Sequence, residues 1–131
     1  AQKRRTERRT QMILFDTDVC LSLLSGNRKI LQQFGALMEE ICIPAPCVEE
    51  LYLAAEQSPR QEENGRRIEQ FLATVRVLHP DAETYRLAAR IRNRLDRRGR
   101  AASQTDVLVF SLSRVFSARL VTLHAGRYRF T

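Results

Sequence analysis

Asp16 closes the continuous apolar run Met12-Ile13-Leu14-Phe15, and Asp18 follows two residues later. Such a run suits a strand buried on both faces, which delivers its last side chain to the carboxyl edge of a sheet. A helix N-cap is the competing use, and Thr17 or Asp18 could serve it for the following helix. One cap accounts for one of these residues, not for both acids. Glu50 falls on the seam of Cys47, Leu51 and Ala54 in a helix begun at Pro46, whereas Glu49 turns towards Leu53 and Glu56. An unpaired buried acid is costly, so Glu50 needs a partner, either a metal ion or an arginine. Asp106 stands three residues after Ser103, at the start of an apolar helix. It is either a ligand or a first-turn acid favoured by the helix dipole, with Ser-x-x-Asp as a weak capping box.

Three carboxylates converging on a cleft repel one another unless a cation sits between them. An all-oxygen donor set suits Mg²⁺ or Mn²⁺. Such ions can generate a hydroxide and neutralise charge developing on a phosphodiester. Asp16, Glu50 and Asp106 should then lie within reach of a common ion.

The elements that must position these acids follow from the apolar pattern. Residues 12–15 read as a strand and Val19 to Leu24 as a short helix closed by Ser25-Gly26-Asn27. Lys29 to Glu40 reads as a second helix and Ile41-Cys42-Ile43 as a second strand. A third helix starts around Pro46 and runs to about Gln57. Ser58-Pro59-Arg60-Gln61 has the form of a capping box, opening a fourth helix that carries Ile68, Phe71 and Leu72. Residues 75–78 form a third strand, and Asp81 caps a long fifth helix burying Tyr85, Ala88, Ile91 and Leu95 up to Gly99. Ser103 caps a sixth helix, apolar nearly all round at residues 107–110, and residues 120–123 supply a last strand. Strands alternating with helices predict an α/β fold, a short parallel sheet of about four strands flanked by helices on both faces. Sites in such sheets form beyond the carboxyl ends of the strands, which points again at Asp16.

At 131 residues the chain suits one domain, 12–131, preceded by a basic tail over 1–11 that carries four of its seven net positive charges. Met12 is a second candidate start. A basic balance favours an anionic partner, and with a metal-binding acid cluster the natural substrate is nucleic acid. No run of apolar residues approaches the ~18 that a membrane span requires, and the charged N-terminus does not read as a signal peptide. Cys20, Cys42 and Cys47 form no CxxC, so reduced thiols in a cytoplasmic protein are expected rather than a zinc site.

In order and spacing these motifs resemble the PIN-domain ribonucleases. Met-Ile-Leu-Phe-Asp-Thr-Asp-Val at 12–19 is similar to their opening strand, usually ending Asp-Thr-Asn, with Thr17 in the middle position. Residues 48–58 resemble the second motif with Glu50 as its acid, residues 97–108 the third with Asp106 as its acid, and Leu120-Val121-Thr122 the last strand. The subgroup resembled is the VapC-type toxins of toxin–antitoxin pairs. The resemblance implies a three-layer PIN-like fold and a Mg²⁺- or Mn²⁺-dependent endoribonuclease acting on RNA such as tRNA or rRNA. It also implies a homodimer and a cognate antitoxin entering the catalytic groove. After the last strand the family usually has Asn or Asp, then Asp three residues on; here His124 and Arg127 stand there, and no acid follows Asp106. A fourth carboxylate must be Asp18 or be missing, with His124 as a weaker substitute ligand. The departure motivates an alternative of another class: a PIN-like module that binds RNA or an antitoxin without efficient cleavage.

Arg86, Arg90 and Arg94 line the face of the fifth helix opposite its apolar stripe, and Arg97, Arg98 and Arg100 continue towards Asp106. They form either a solvated face or a phosphate-positioning surface for RNA. Asp16-x-Asp18 also fits haloacid-dehalogenase phosphatases, but outside the tail the chain has one lysine, Lys29, too early for that chemistry, and no late acidic pair.

Overall fold

In a computed structural model, residues 12–130 are described, with the Glu39 side chain excepted. The basic segment 1–11 and Thr131 lie outside the described residues. Four strands, β1 (Ile13–Phe15), β2 (Ile41–Pro44), β3 (Arg76–Leu78) and β4 (Arg119–Val121), form one parallel sheet in the order β3-β2-β1-β4. Six helices cover it: α1 (Thr17–Leu24), α2 (Arg28–Phe34), α3 (Ala45–Glu56), α4 (Gln61–Leu72), α5 (Ala82–Arg97) and α6 (Gln104–Val115).

The pleat of β1 shows why its sequence is apolar throughout. Ile13 and Phe15 enter the larger core with Ile41 and Ile43 of β2, while Leu14 enters a second core with Cys42, Leu78, Leu112 and Ala118. Both faces are therefore covered, as expected for a parallel sheet of three layers. Phe15 is fully buried and meets Phe34 edge to face at 5.3 Å. Helix α6 is the central one: Val107, Val109 and Leu112 are fully buried, and Ser111 returns its hydroxyl proton to the Val107 carbonyl at 2.7 Å.

From β1 the sheet grows one way to β2 and β3 and the other way to β4. This reversal leaves a crevice at the carboxyl ends of β1 and β4, the usual place for a ligand in such sheets. Asp16 is the residue immediately after β1.

Three local expectations are corrected. The second helix is α only to Phe34; Gly35, with its weak helix propensity, hands over to a 3-10 segment (Gly35–Glu40) interrupted by non-helical Leu37. Ser58 does not open α4. Its hydroxyl donates to the Ala55 carbonyl at 2.7 Å and so closes α3, while α4 starts at Gln61 with no side-chain cap. Tyr85 is 53% exposed. The capping box between Asp81 and Thr84 turns Thr84 inward, and the buried stripe runs through Thr84, Ala88, Ile91 and Leu95 instead.

Candidate active site

Asp16 is almost wholly buried, at 1% exposure, and both carboxylate oxygens are engaged. Oδ1 accepts from the Val19 amide at 3.1 Å, making Asp16 itself the N-cap of α1, in place of the expected Thr17 or Asp18. Oδ2 accepts from the Tyr128 hydroxyl at 2.9 Å, across 112 positions of sequence. The cap reading and the site reading thus share one carboxylate.

Capping at Asp16 places Thr17 and Asp18 in the first turn of α1, facing α3 and the chain's C-terminal segment. Thr17 donates its hydroxyl to Glu50 Oε1 at 2.5 Å. Glu50 is half-buried on the inner side of α3, whereas Glu49 is exposed, as the seam argument required. Its protein partner is a threonine hydroxyl rather than an arginine. Cys47, one turn earlier on the same seam, is buried beside Thr17, and burial pushes its thiol up to about 12. Thr17 works against this shift, while Glu50 and Asp16 add to it.

Asp106 lies in the first turn of α6, where its amide donates to the Ser103 cap at 3.0 Å. Burial raises its pKa first of all; Ser103 and Arg127 pull it down, and the charges of Glu50 and Asp16 push it up again. The fields of all three acids therefore overlap at Asp106, although they come from β1, α3 and α6.

The 3-10 turn Ala125–Tyr128 brings the C-terminal segment over this mouth. Arg127 Nη1 lies 3.1 Å from Asp18 Oδ2, and its Nε lies 4.0 Å from Asp106 Oδ2. His124 is exposed, with Nε2 3.6 Å from Asp18 Oδ2. Beyond the turn, Phe130 is buried and packs edge to face on Phe110 at 5.4 Å. Arg94 and Arg100 donate to the Phe130 and Arg129 carbonyls, at 3.4 and 3.0 Å. Arg97 and Arg98, the end and C-cap of α5, are exposed.

The donor chemistry, oxygen acids with overlapping fields, fits a hard divalent cation. The geometry is that of acids held by protein donors: among the described residues, no three His, Cys, Asp or Glu side chains are grouped closely enough to hold an ion. The expectation that Asp16, Glu50 and Asp106 lie within reach of a common ion is not met. Tyr128 holds Asp16, Thr17 holds Glu50, and Arg127 lies between Asp18 and Asp106.

The sequence profile described as "PIN domain" matches residues 13–125. The chain belongs to the PIN-domain family. A curated relative of this PIN domain, the "tRNA(fMet)-specific endonuclease VapC" of Shigella flexneri, is 27% identical over 110 residues, covering 83% of each chain. VapBC-1 from nontypeable Haemophilus influenzae has the same fold, with a TM-score of 0.78 at 21% identity over 90% of each chain. A toxin–antitoxin complex from Klebsiella pneumoniae gives 0.71 at 17% identity over 89% of this chain and 90% of that one.

The PIN-domain match ends before Arg127 and Tyr128. Tyr128 was missed by sequence reasoning. Its only local signal is the alternation Arg127-Tyr128-Arg129-Phe130, in which the two aromatics are buried and Arg129 is exposed.

Proposed function

We propose that this PIN domain, residues 12–131, is a metal-dependent endoribonuclease: the toxin of a toxin–antitoxin pair, working in the cytoplasm. The observation that carries the reading is Asp16, buried at the carboxyl edge of β1, with the charges of Glu50 and Asp106 meeting at the same mouth. Kinship with a relative named as a tRNA endonuclease supports RNA as substrate, with tRNA or rRNA as candidate classes. The fold shared with a toxin–antitoxin complex supports a cognate antitoxin as partner, and a homodimer is part of the same proposal. No helix among the described residues is long and apolar enough to cross a membrane.

Asp16, Glu50 and Asp106 would hold Mg²⁺ or Mn²⁺, with Asp18 as the available fourth acid. A bound ion of this kind supplies a water of lowered pKa and charge neutralisation at the phosphodiester. The rest falls to the chain's own side chains. Tyr128 fixes the rotamer of Asp16, and Thr17 aims Glu50 at the mouth. Arg97, Arg98 and Arg100 at the end of α5 would position the RNA backbone through its phosphates. His124, exposed beside Asp18, is a peripheral candidate ligand.

The test is cleavage of total RNA with Mg²⁺ or Mn²⁺ against a chelator, comparing wild type with Glu50→Gln. Discrete cuts that vanish with the chelator and weaken in the variant support the reading; chelator-resistant cleavage rejects it. A second reading, a module that binds RNA or antitoxin without efficient cleavage, is favoured by Arg127 lying across Asp18 and Asp106. It predicts RNA retention without cuts under the same conditions.

A further inference from the structure

We propose that Arg127 is a resident counter-ion of the acidic mouth, which a divalent cation must displace from Asp18 and Asp106 before the acids can close around it. This rests on the metal-dependent reading above and concerns a residue outside the PIN-domain match.

The guanidinium spans acids from two separate elements, with Nη1 at 3.1 Å from Asp18 on α1 and Nε at 4.0 Å from Asp106 on α6. Burial opposes its charge, but Asp18 and Asp106 outweigh burial and push its pKa above the ordinary arginine value. The arm is short and well held. Tyr128, the next residue, is hydrogen-bonded to Asp16, and Phe130 is buried against Phe110. The backbone therefore fixes Arg127 over the mouth, and only the side chain is left to swing. Its side chain is 38% exposed, so an outward path is open.

A guanidinium and a divalent ion cannot occupy the same carboxylate oxygens together. Where they compete, the apparent affinity for the ion falls by the fraction of molecules in which the acids are released. A retained positive charge also repels an incoming cation across a few ångströms.

The test is Mn²⁺ titration calorimetry on the full chain at fixed ionic strength, comparing wild type, Arg127→Gln and Arg127→Lys. Thermal melts of each protein without metal establish that each is folded. Removing the charge should tighten Mn²⁺ binding at least about tenfold, and keeping it as lysine should leave affinity within roughly threefold of wild type. Should Arg127→Gln not fold, Arg127→Met decides in its place: it removes the same charge, so Mn²⁺ binding tighter than wild type is required, and affinity equal to wild type overturns the role. Equal Mn²⁺ affinity in wild type and Arg127→Gln overturns the counter-ion role and leaves the metal reading intact. Weaker binding in Arg127→Gln also overturns it, because Arg127 would then help build the site. Tightening of the same size in the lysine and glutamine variants overturns it too, because charge would not be the cause. No binding by any variant removes the metal reading and this inference together.

Discussion

Tyr128→Phe removes one oxygen and leaves the ring, so it isolates the hydrogen bond to Asp16. Asp16 is 1% exposed, and water cannot readily replace the lost donor at Oδ2. A hydrogen bond to a charged group is worth about 1.5–3 kcal/mol net, so we expect a loss of about 2 kcal/mol in metal-free protein. For a chain of this size that lowers Tm by roughly 8 °C. Urea denaturation at pH 7 with a chelator should move the midpoint and leave the m-value unchanged. The pH dependence adds a second check. Burial first, then the charge of Asp16, raises the pKa of Tyr128. Unfolded tyrosine releases its proton near about pH 10, whereas the folded side chain holds it beyond that. The contribution is therefore fully present below pH 10 and is lost as pH rises above it, so the gap between wild type and variant must narrow there. A loss under about 0.5 kcal/mol at pH 7 would refute the reasoning, because Asp16 would then be satisfied without Tyr128.

Two further predictions concern the same mouth and its approach. Cys47 is held protonated by burial, with its pKa at about 12 against an ordinary 9.0, so stability should fall as pH rises from about 9 to about 12, at about 1.4 kcal/mol per unit. Cys47→Ser should be shallower by about that amount in alkaline melts, with Cys20, Cys42 and Tyr128 still contributing, and an identical slope in both proteins would contradict the assignment. Replacing Arg97, Arg98 and Arg100 by Ala should weaken RNA binding across sequences and flatten its salt dependence, by up to about one unit of slope per lost phosphate contact. An unchanged slope would leave these arginines as a solvated face, with Arg100 serving only to tie the Arg129 carbonyl.

The fold was legible wherever one residue's environment follows from its neighbours. Residues 12–15 are apolar because β1 is covered on both faces, and that two-sided burial is visible without any structure. Asp81 and Ser103 cap α5 and α6 as their sequences announce. What was not legible depends on distant or competing contacts. Ser58 has the form of an opening cap, but its amide and hydroxyl both donate to the Ala55 carbonyl at the end of α3. Tyr85 and Thr84 are adjacent on α5, and the capping box decides which of them turns inward. Of the candidate site, the three acids could be named from strand position, helix seam and family pattern. Their protein partners could not. Tyr128 reaches Asp16 from 112 residues away, and Arg127 reads in sequence only as a departure from an acidic pattern.

The central claim is that Asp16, Glu50 and Asp106 make one metal-dependent site for cutting RNA. The most direct measurement is RNA cleavage in Mg²⁺ or Mn²⁺ by wild type, Asp16→Asn and Asp106→Asn purified in parallel. Asparagine keeps one acceptor oxygen for the Val19 amide at the N-cap but sets an NH2 against the Tyr128 hydroxyl in place of Oδ2, so metal-free thermal melts of each variant accompany the assay. The account predicts metal-dependent cleavage by the wild type and a loss of at least about a hundredfold in each variant, roughly 2.7 kcal/mol of transition-state stabilisation. Equal cleavage by all three proteins would contradict it.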